Sequence, residues 1–127
     1  RLAVTASVDA MNYLKPLPLG HSVCVETYIS GTGKKSVEVF CKVVGEDVLN
    51  GERYLAATSF WTFVALPREG ETDFTVDAII PETDEEKFIC SGYEERRKAR
   101  LEQLGRQEAL MDHITVVKPW NLENHES

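Results

Sequence analysis

The chain has 127 residues, 43% of them apolar and 28% charged, which is material for one folded domain and excludes disorder of the whole. A formal net charge of −7 argues against wholesale binding to a phosphate backbone, and no apolar run reaches the length of a membrane span. Cys24, Cys41 and Cys90 are an odd set without C-x-x-C spacing, two of them inside strand-like runs, so buried free thiols in a reducing cytoplasm are expected.

Leu2, Val4, Ala6 and Val8 alternate with Ala3, Thr5, Ser7 and Asp9 from almost the first residue, the pattern of a half-buried strand. A strand this close to the start suggests a further element upstream. The run yields at Lys15-Pro16-Leu17-Pro18-Leu19-Gly20, where two prolines withhold ladder donors. Residues 22–30 place Val23, Val25, Thr27 and Ile29 on one face of a second strand, and Gly31-Thr32-Gly33-Lys34-Lys35 breaks it as a hairpin loop. Over 36–44 the alternation resumes with Val37, Val39, Cys41 and Val43 inward and Ser36, Glu38 and Lys42 outward, Phe40 interrupting the polar side. Asn50-Gly51 is a strong hairpin signal. Residues 54–66 are apolar on both faces and read as a central strand, or as one covered on both sides.

Beyond Pro67 the chain is polar and turn-rich until Thr83 with Glu86, and then Ser91 with Glu94, fit two capping boxes. A helix is predicted over 93–111, with Glu94–Lys98 and Glu102–Arg106 at favourable spacing and a thin apolar stripe of Leu101 and Leu104. Such a helix lies on a surface or packs against another subunit. The tail over 114–120 has a short β-like stretch, and Trp120 offers an anchor for it. The division expected is therefore sheet strands over 1–66, and linker, helix and tail over 67–127. His21, His113 and His125 are too scattered for a metal site, and no Ser/His/Asp or Cys/His arrangement is defensible by spacing.

The string Val4-Thr5-Ala6-Ser7-Val8-Asp9, followed by Met11-Asn12-Tyr13-Leu14-Lys15-Pro16 and Gly20, resembles the signature of bacterial acyl-CoA thioesterases of the hot-dog fold. Ser30-Gly31-Thr32-Gly33-Lys34-Lys35-Ser36-Val37-Glu38-Val39-Phe40 is similar to the family's next hairpin, and Ala57-Thr58-Ser59-Phe60 with Thr62-Phe63-Val64-Ala65-Leu66 to its last strand. Ile80-Pro81-Glu82-Thr83 and the Arg-rich helix look like the C-terminal extension of Gram-positive members. The resemblance implies an α+β hot-dog fold, a curved antiparallel sheet wrapping a central helix, with a C-terminal helical extension. It implies dimers that join into hexamers, and a cytoplasmic enzyme that hydrolyses acyl-CoA to a free acid and CoA by carboxylate-activated water. No cofactor or metal is implied, CoA being bound as part of the substrate. In the family a strand, an asparagine-containing segment and a helix with the catalytic aspartate precede these residues. Residues 1–127 hold no counterpart, so the catalytic base is expected upstream of Arg1. The alternative is a non-catalytic acyl-CoA or nucleotide-binding protein that keeps the fold without the base.

Thioester hydrolysis needs an activated water and donors for the oxyanion. Asp9, beside Thr5 and Ser7, is the weak visible candidate, and the plainer reading is an aspartate that hydrogen-bonds its neighbours. The loop of Thr32, Gly33, Lys34, Lys35 and Ser36 offers small residues, two hydroxyls and two lysines suited to the phosphates of CoA; an ordinary hairpin with solvated lysines is the alternative. Asn12 either lines the acyl or pantetheine channel or is a turn asparagine. Arg96 and Arg97, with Lys98 and Arg100, form either a solvated face or a contact with the CoA phosphates of a neighbouring subunit.

Overall fold

The computed structural model describes residues 1–121. His125 lies outside the described residues. Four strands, β1 (Ala3–Tyr13), β2 (Ser22–Thr32), β3 (Ser36–Asp47) and β4 (Glu52–Ala65), are followed by two helices, α1 (Asp84–Ser91) and α2 (Tyr93–Met111). The strands form one antiparallel sheet in the order β1-β4-β3-β2, so the doubly apolar β4 is central, as its composition requires. The chain divides into two compact units, Arg1–Tyr93 and Glu94–Ser127.

Residues opposite one another across a sheet share a face. Asp9, Phe60, Phe40 and Tyr28 therefore form one cross-strand row, with Asn12, Thr58, Lys42 and Glu26 next to it. In the first row the rings meet at tilted geometry, Tyr28 to Phe40 at 5.4 Å and Phe40 to Phe60 at 5.0 Å. Phe40 is buried, and so is Glu38, whose carboxylate accepts a 2.7 Å hydrogen bond from the fully buried Ser30. Glu38 was expected to point to solvent; the segment carrying α1 and Tyr93 packs on this face and covers it. The opposite face, which the alternation marks as inward, leaves Val8, Val23, Val25 and Ile29 exposed by 43 to 59%.

The first strand departs from simple alternation. A register shift between Thr5 and Ser7 puts Val4 opposite Val64 but Val8 opposite Trp61, three residues apart on β4, so the two valines lie on opposite faces. A second shift between Asp9 and Asn12 contains Ala10 at φ 48°, a left-handed conformation that a non-glycine residue adopts at a cost. The β3–β4 turn ends on Gly51 at φ 74°, whose amide donates to Asp47 at 2.7 Å.

Thr83 caps α1, accepting from the Glu86 amide at 3.1 Å. Ser91 closes the same helix, its hydroxyl donating at 2.6 Å to the Phe88 carbonyl, so it serves the helix before it rather than starting α2. The stretch after α2 is not a strand, and Trp120 is 74% exposed, with Lys118 Nζ 5.5 Å from its ring. An anchor would need burial. The thiols also differ from expectation: Cys24 is exposed on an edge strand, and Cys41 and Cys90 are half-buried.

Candidate functional site

The loop between β2 and β3 has Lys34 and Lys35 at its tip, both exposed, with the Gly33 amide donating to the Ser36 carbonyl at 2.9 Å. Neither lysine has positive φ, so the tip is not the primed turn that two-residue hairpins favour. Bonds from outside the hairpin hold it. The Lys35 carbonyl accepts from the Ala65 amide at 2.7 Å and the Lys34 carbonyl from the Val76 amide at 2.7 Å. The Lys35 ammonium lies 5.2 Å from the centre of the Phe74 ring, over which the Arg1 guanidinium also sits at 3.9 Å. Two cations thus stand on a tip whose backbone is fixed on both sides, while Thr32, Gly33 and Ser36 are half-buried beneath them.

The glycines of this loop have a packing reason. A Cβ on Gly31 would fall inside the Tyr93 ring, and one on Gly33 would collide with the Ser36 hydroxyl. Composition alone reads small residues here as room for a phosphate. The structure shows that Gly31 also makes room for an aromatic ring 62 residues further along the chain.

Asp9 and Asn12 lie elsewhere. Ser36 pairs with Val64 and Asp9 with Phe60, which separates them by roughly 13 Å along β4 and about 10 Å across the sheet. The Asp9 carboxylate accepts from the Ser7 hydroxyl at 2.9 Å. The Asn12 amide donates at 3.0 Å to the carbonyl of Ala10 and so braces the left-handed residue of the bulge. Arg96 and Arg97 belong to α2 in the second unit, half-buried and exposed respectively. Around them the helix surface is mixed in sign, with Glu94, Glu95, Lys98 and Glu102 bordering one shallow depression. Glu102 and Arg106 make the four-residue pair expected from their spacing, at 3.9 Å.

Two clusters escaped the sequence. On the helix-bearing face, Glu85 of α1 accepts from Lys42 Nζ at 2.9 Å and from the Tyr28 hydroxyl at 2.9 Å. The Lys42 and Tyr28 hydrogen bonds hold the Glu85 carboxyl below its usual range, and the bond to Glu85 raises Lys42. Burial first, then the bond to Glu85, pushes the Tyr28 phenol up. Beside this cluster runs a groove of ≈ 560 Å³ floored by Phe40, Phe60, Val44 and Ile89. At the far end of the sheet, His21 Nδ1 meets the Tyr54 hydroxyl at 2.7 Å while its Nε2 lies 3.9 Å from Asp47. Tertiary packing brings these residues together, since Glu85 comes from α1 and His21 from the loop before β2. The capping box of Thr83 and Glu86 marked where α1 starts, and gave no sign of the contact that Glu85 makes.

Among the described residues no helix is long and apolar enough to cross a membrane, and no group of three or more His, Cys, Asp or Glu could hold a metal ion.

Residues 1–51 match the sequence family described as the Thioesterase superfamily. The chain is 42% identical over 120 residues to a Bacillus subtilis (strain 168) protein named as the uncharacterized acyl-CoA thioester hydrolase YkhA, covering 94% of this chain and 69% of that protein. Among solved structures, the acyl-CoA hydrolase from Staphylococcus aureus in complex with butyryl coenzyme A, coenzyme A and coenzyme A disulfide superposes with a TM-score of 0.79 at 32% identity. That match covers 87% of this chain and 67% of the other. An apo-hexameric acyl-CoA thioesterase superposes with a TM-score of 0.71 at 31% identity, over 80% of this chain and 65% of its own.

Proposed function

This chain belongs to the thioesterase superfamily of hot-dog fold, and from that membership we propose that it hydrolyses acyl-CoA to a free carboxylic acid and CoA. The observation that carries the reading is the pair Lys34 and Lys35, exposed on a hairpin tip braced from outside by Ala65, Phe74 and Val76. CoA presents a diphosphate and a 3′-phosphate, and two lysines on a fixed backbone give those charges a site in a chain that is acidic overall. Thr32, Gly33 and Ser36 form the rest of the cradle.

In the reaction, a water that has lost a proton to a carboxylate base attacks the thioester carbonyl. The tetrahedral oxyanion collapses, the C–S bond breaks, and CoA leaves as the thiol after taking up a proton. This chain's loop holds the leaving group by its nucleotide end and so fixes where the thioester lies. Asp9 is engaged with Ser7, which favours a structural role for it. CoA enters as substrate, and no further cofactor takes part.

The working unit is a homo-oligomer, built from dimers. Support comes from β1, a sheet-edge strand of eleven residues that exposes Val4, Val8 and Met11, since a long apolar edge is managed by pairing or covering it. A contact of Arg96 or Arg97 with the phosphates of a neighbouring subunit's CoA would add to the grip of the loop. Three free cysteines are consistent with a cytoplasmic setting.

The test is thiol release by the full-length protein from short-, medium- and long-chain acyl-CoA. The proposal expects turnover of at least one chain-length class. Tight binding of CoA without turnover of any of them would make the protein a non-catalytic acyl-CoA binder and overturn it.

A further inference from the structure

Tyr93 is the buried residue of α2, 7% exposed, and its ring occupies the space that a Cβ on Gly31 would need. Its hydroxyl is 3.5 Å from where a Cβ on Gly33 would sit and is buried without a hydrogen-bond partner among the described residues. The ring is therefore seated against the lysine loop by shape rather than by a polar bond. Two further contacts come from the same stretch of chain, the Val76 amide to the Lys34 carbonyl and the Phe74 ring beside the Lys35 ammonium. Between them, Phe74, Val76 and Tyr93 fix the loop at its base and at both lysines.

We infer that the segment from Phe74 to Tyr93 is a clamp that sets affinity for the nucleotide half of CoA, with Tyr93 as its positioning residue. Tyr93 is assigned to the loop, against Gly31 and Gly33, and acts through it. This rests on the reading of the loop as the phosphate grip. The physical basis is pre-organisation: a lysine pair on a free hairpin must lose backbone and side-chain freedom when it closes on phosphate, whereas a clamped one has lost much of it already. The pantetheine arm carries no nucleotide, so its binding gains nothing from the clamp.

The experiment compares the affinities of CoA and of pantetheine for the full-length protein by calorimetry. Tyr93→Ala is expected to weaken CoA by about tenfold, the scale of ordering two long side chains at binding, and to leave pantetheine unchanged. Tyr93→Phe is expected to keep the parental affinity, since it keeps the ring that seats against Gly31. Phe74→Ala is expected to weaken CoA in the same selective way and decides the matter if Tyr93→Ala does not fold. The control is the double variant Lys34→Ala/Lys35→Ala. If the control loses CoA affinity while the variants at Tyr93 and Phe74 bind CoA normally, or lose CoA and pantetheine alike, the clamp is overturned and the lysine loop stands. If the control itself binds CoA normally, the reading of the loop is overturned and the clamp with it.

Discussion

Ser30 has no solvent exposure, and its hydroxyl donates at 2.7 Å to a Glu38 carboxylate that is 3% exposed. Removing that donor takes one hydrogen bond from a buried carboxyl group, so Ser30→Ala is expected to cost about 1–3 kcal/mol in chemical denaturation. An unchanged unfolding midpoint would show that water reaches the pair. Asp9 makes the complementary case. Its carboxylate is engaged by Ser7, and Asp9→Asn is expected to lower kcat by less than about tenfold, where loss of a general base costs roughly 10²–10⁴. A loss in the larger range would make Asp9 the base. The sequence showed which residues of β3 share a face, because alternation depends on the backbone alone. It did not show which face is covered, because the cover of Glu38 and Phe40 comes from residues more than forty positions away.

At the scale of elements, α1 is attached to the sheet through Glu85, which joins Lys42 of β3 to Tyr28 of β2. A carboxyl held below its ordinary value of 4.5 contributes its stability above that pH and loses it as pH falls through the lower folded value. Lys42, held above 10.5, contributes below that pH and loses its share as pH rises further. The pair is substantially exposed, so Glu85→Gln is expected to cost only about 0.2–1 kcal/mol near neutrality. It should also flatten the acid limb of a Tm-against-pH profile below pH about 4.5. A parental profile in the variant would mean that α1 is held by packing alone. The helix cap at Thr83 was legible because a capping box is local. The bulges of β1 were not, because they are set by register with β4, and they move Val4 and Val8 to opposite faces although the sequence alternates without a break.

For the whole molecule, the central place of β4 was legible because its residues are apolar on both sides, whereas the order of the other strands, with β1 and β2 at the edges, was not. The loop of the candidate site could be located from sequence, but its support could not. Gly31 makes room for Tyr93, and Lys34 is tied to Val76, across gaps that no local pattern spans. With a net charge of −7 over the chain, attraction of CoA phosphates has to come from a local basic site, for which the account proposes the lysine loop. Raising ionic strength is therefore expected to raise KM for acyl-CoA while leaving KM for an acyl-pantetheine unchanged, as steady-state assays across a salt series would show. Equal salt dependence for the two would remove the phosphates from recognition. The most direct measurement is kcat/KM of the full-length protein for an acyl-CoA and for the acyl-pantetheine with the same acyl group. The account predicts hydrolysis of both, with the CoA ester preferred and the preference lost in Lys34→Ala/Lys35→Ala. Absence of hydrolysis across all acyl chain lengths, or a preference that survives the double substitution, would contradict it.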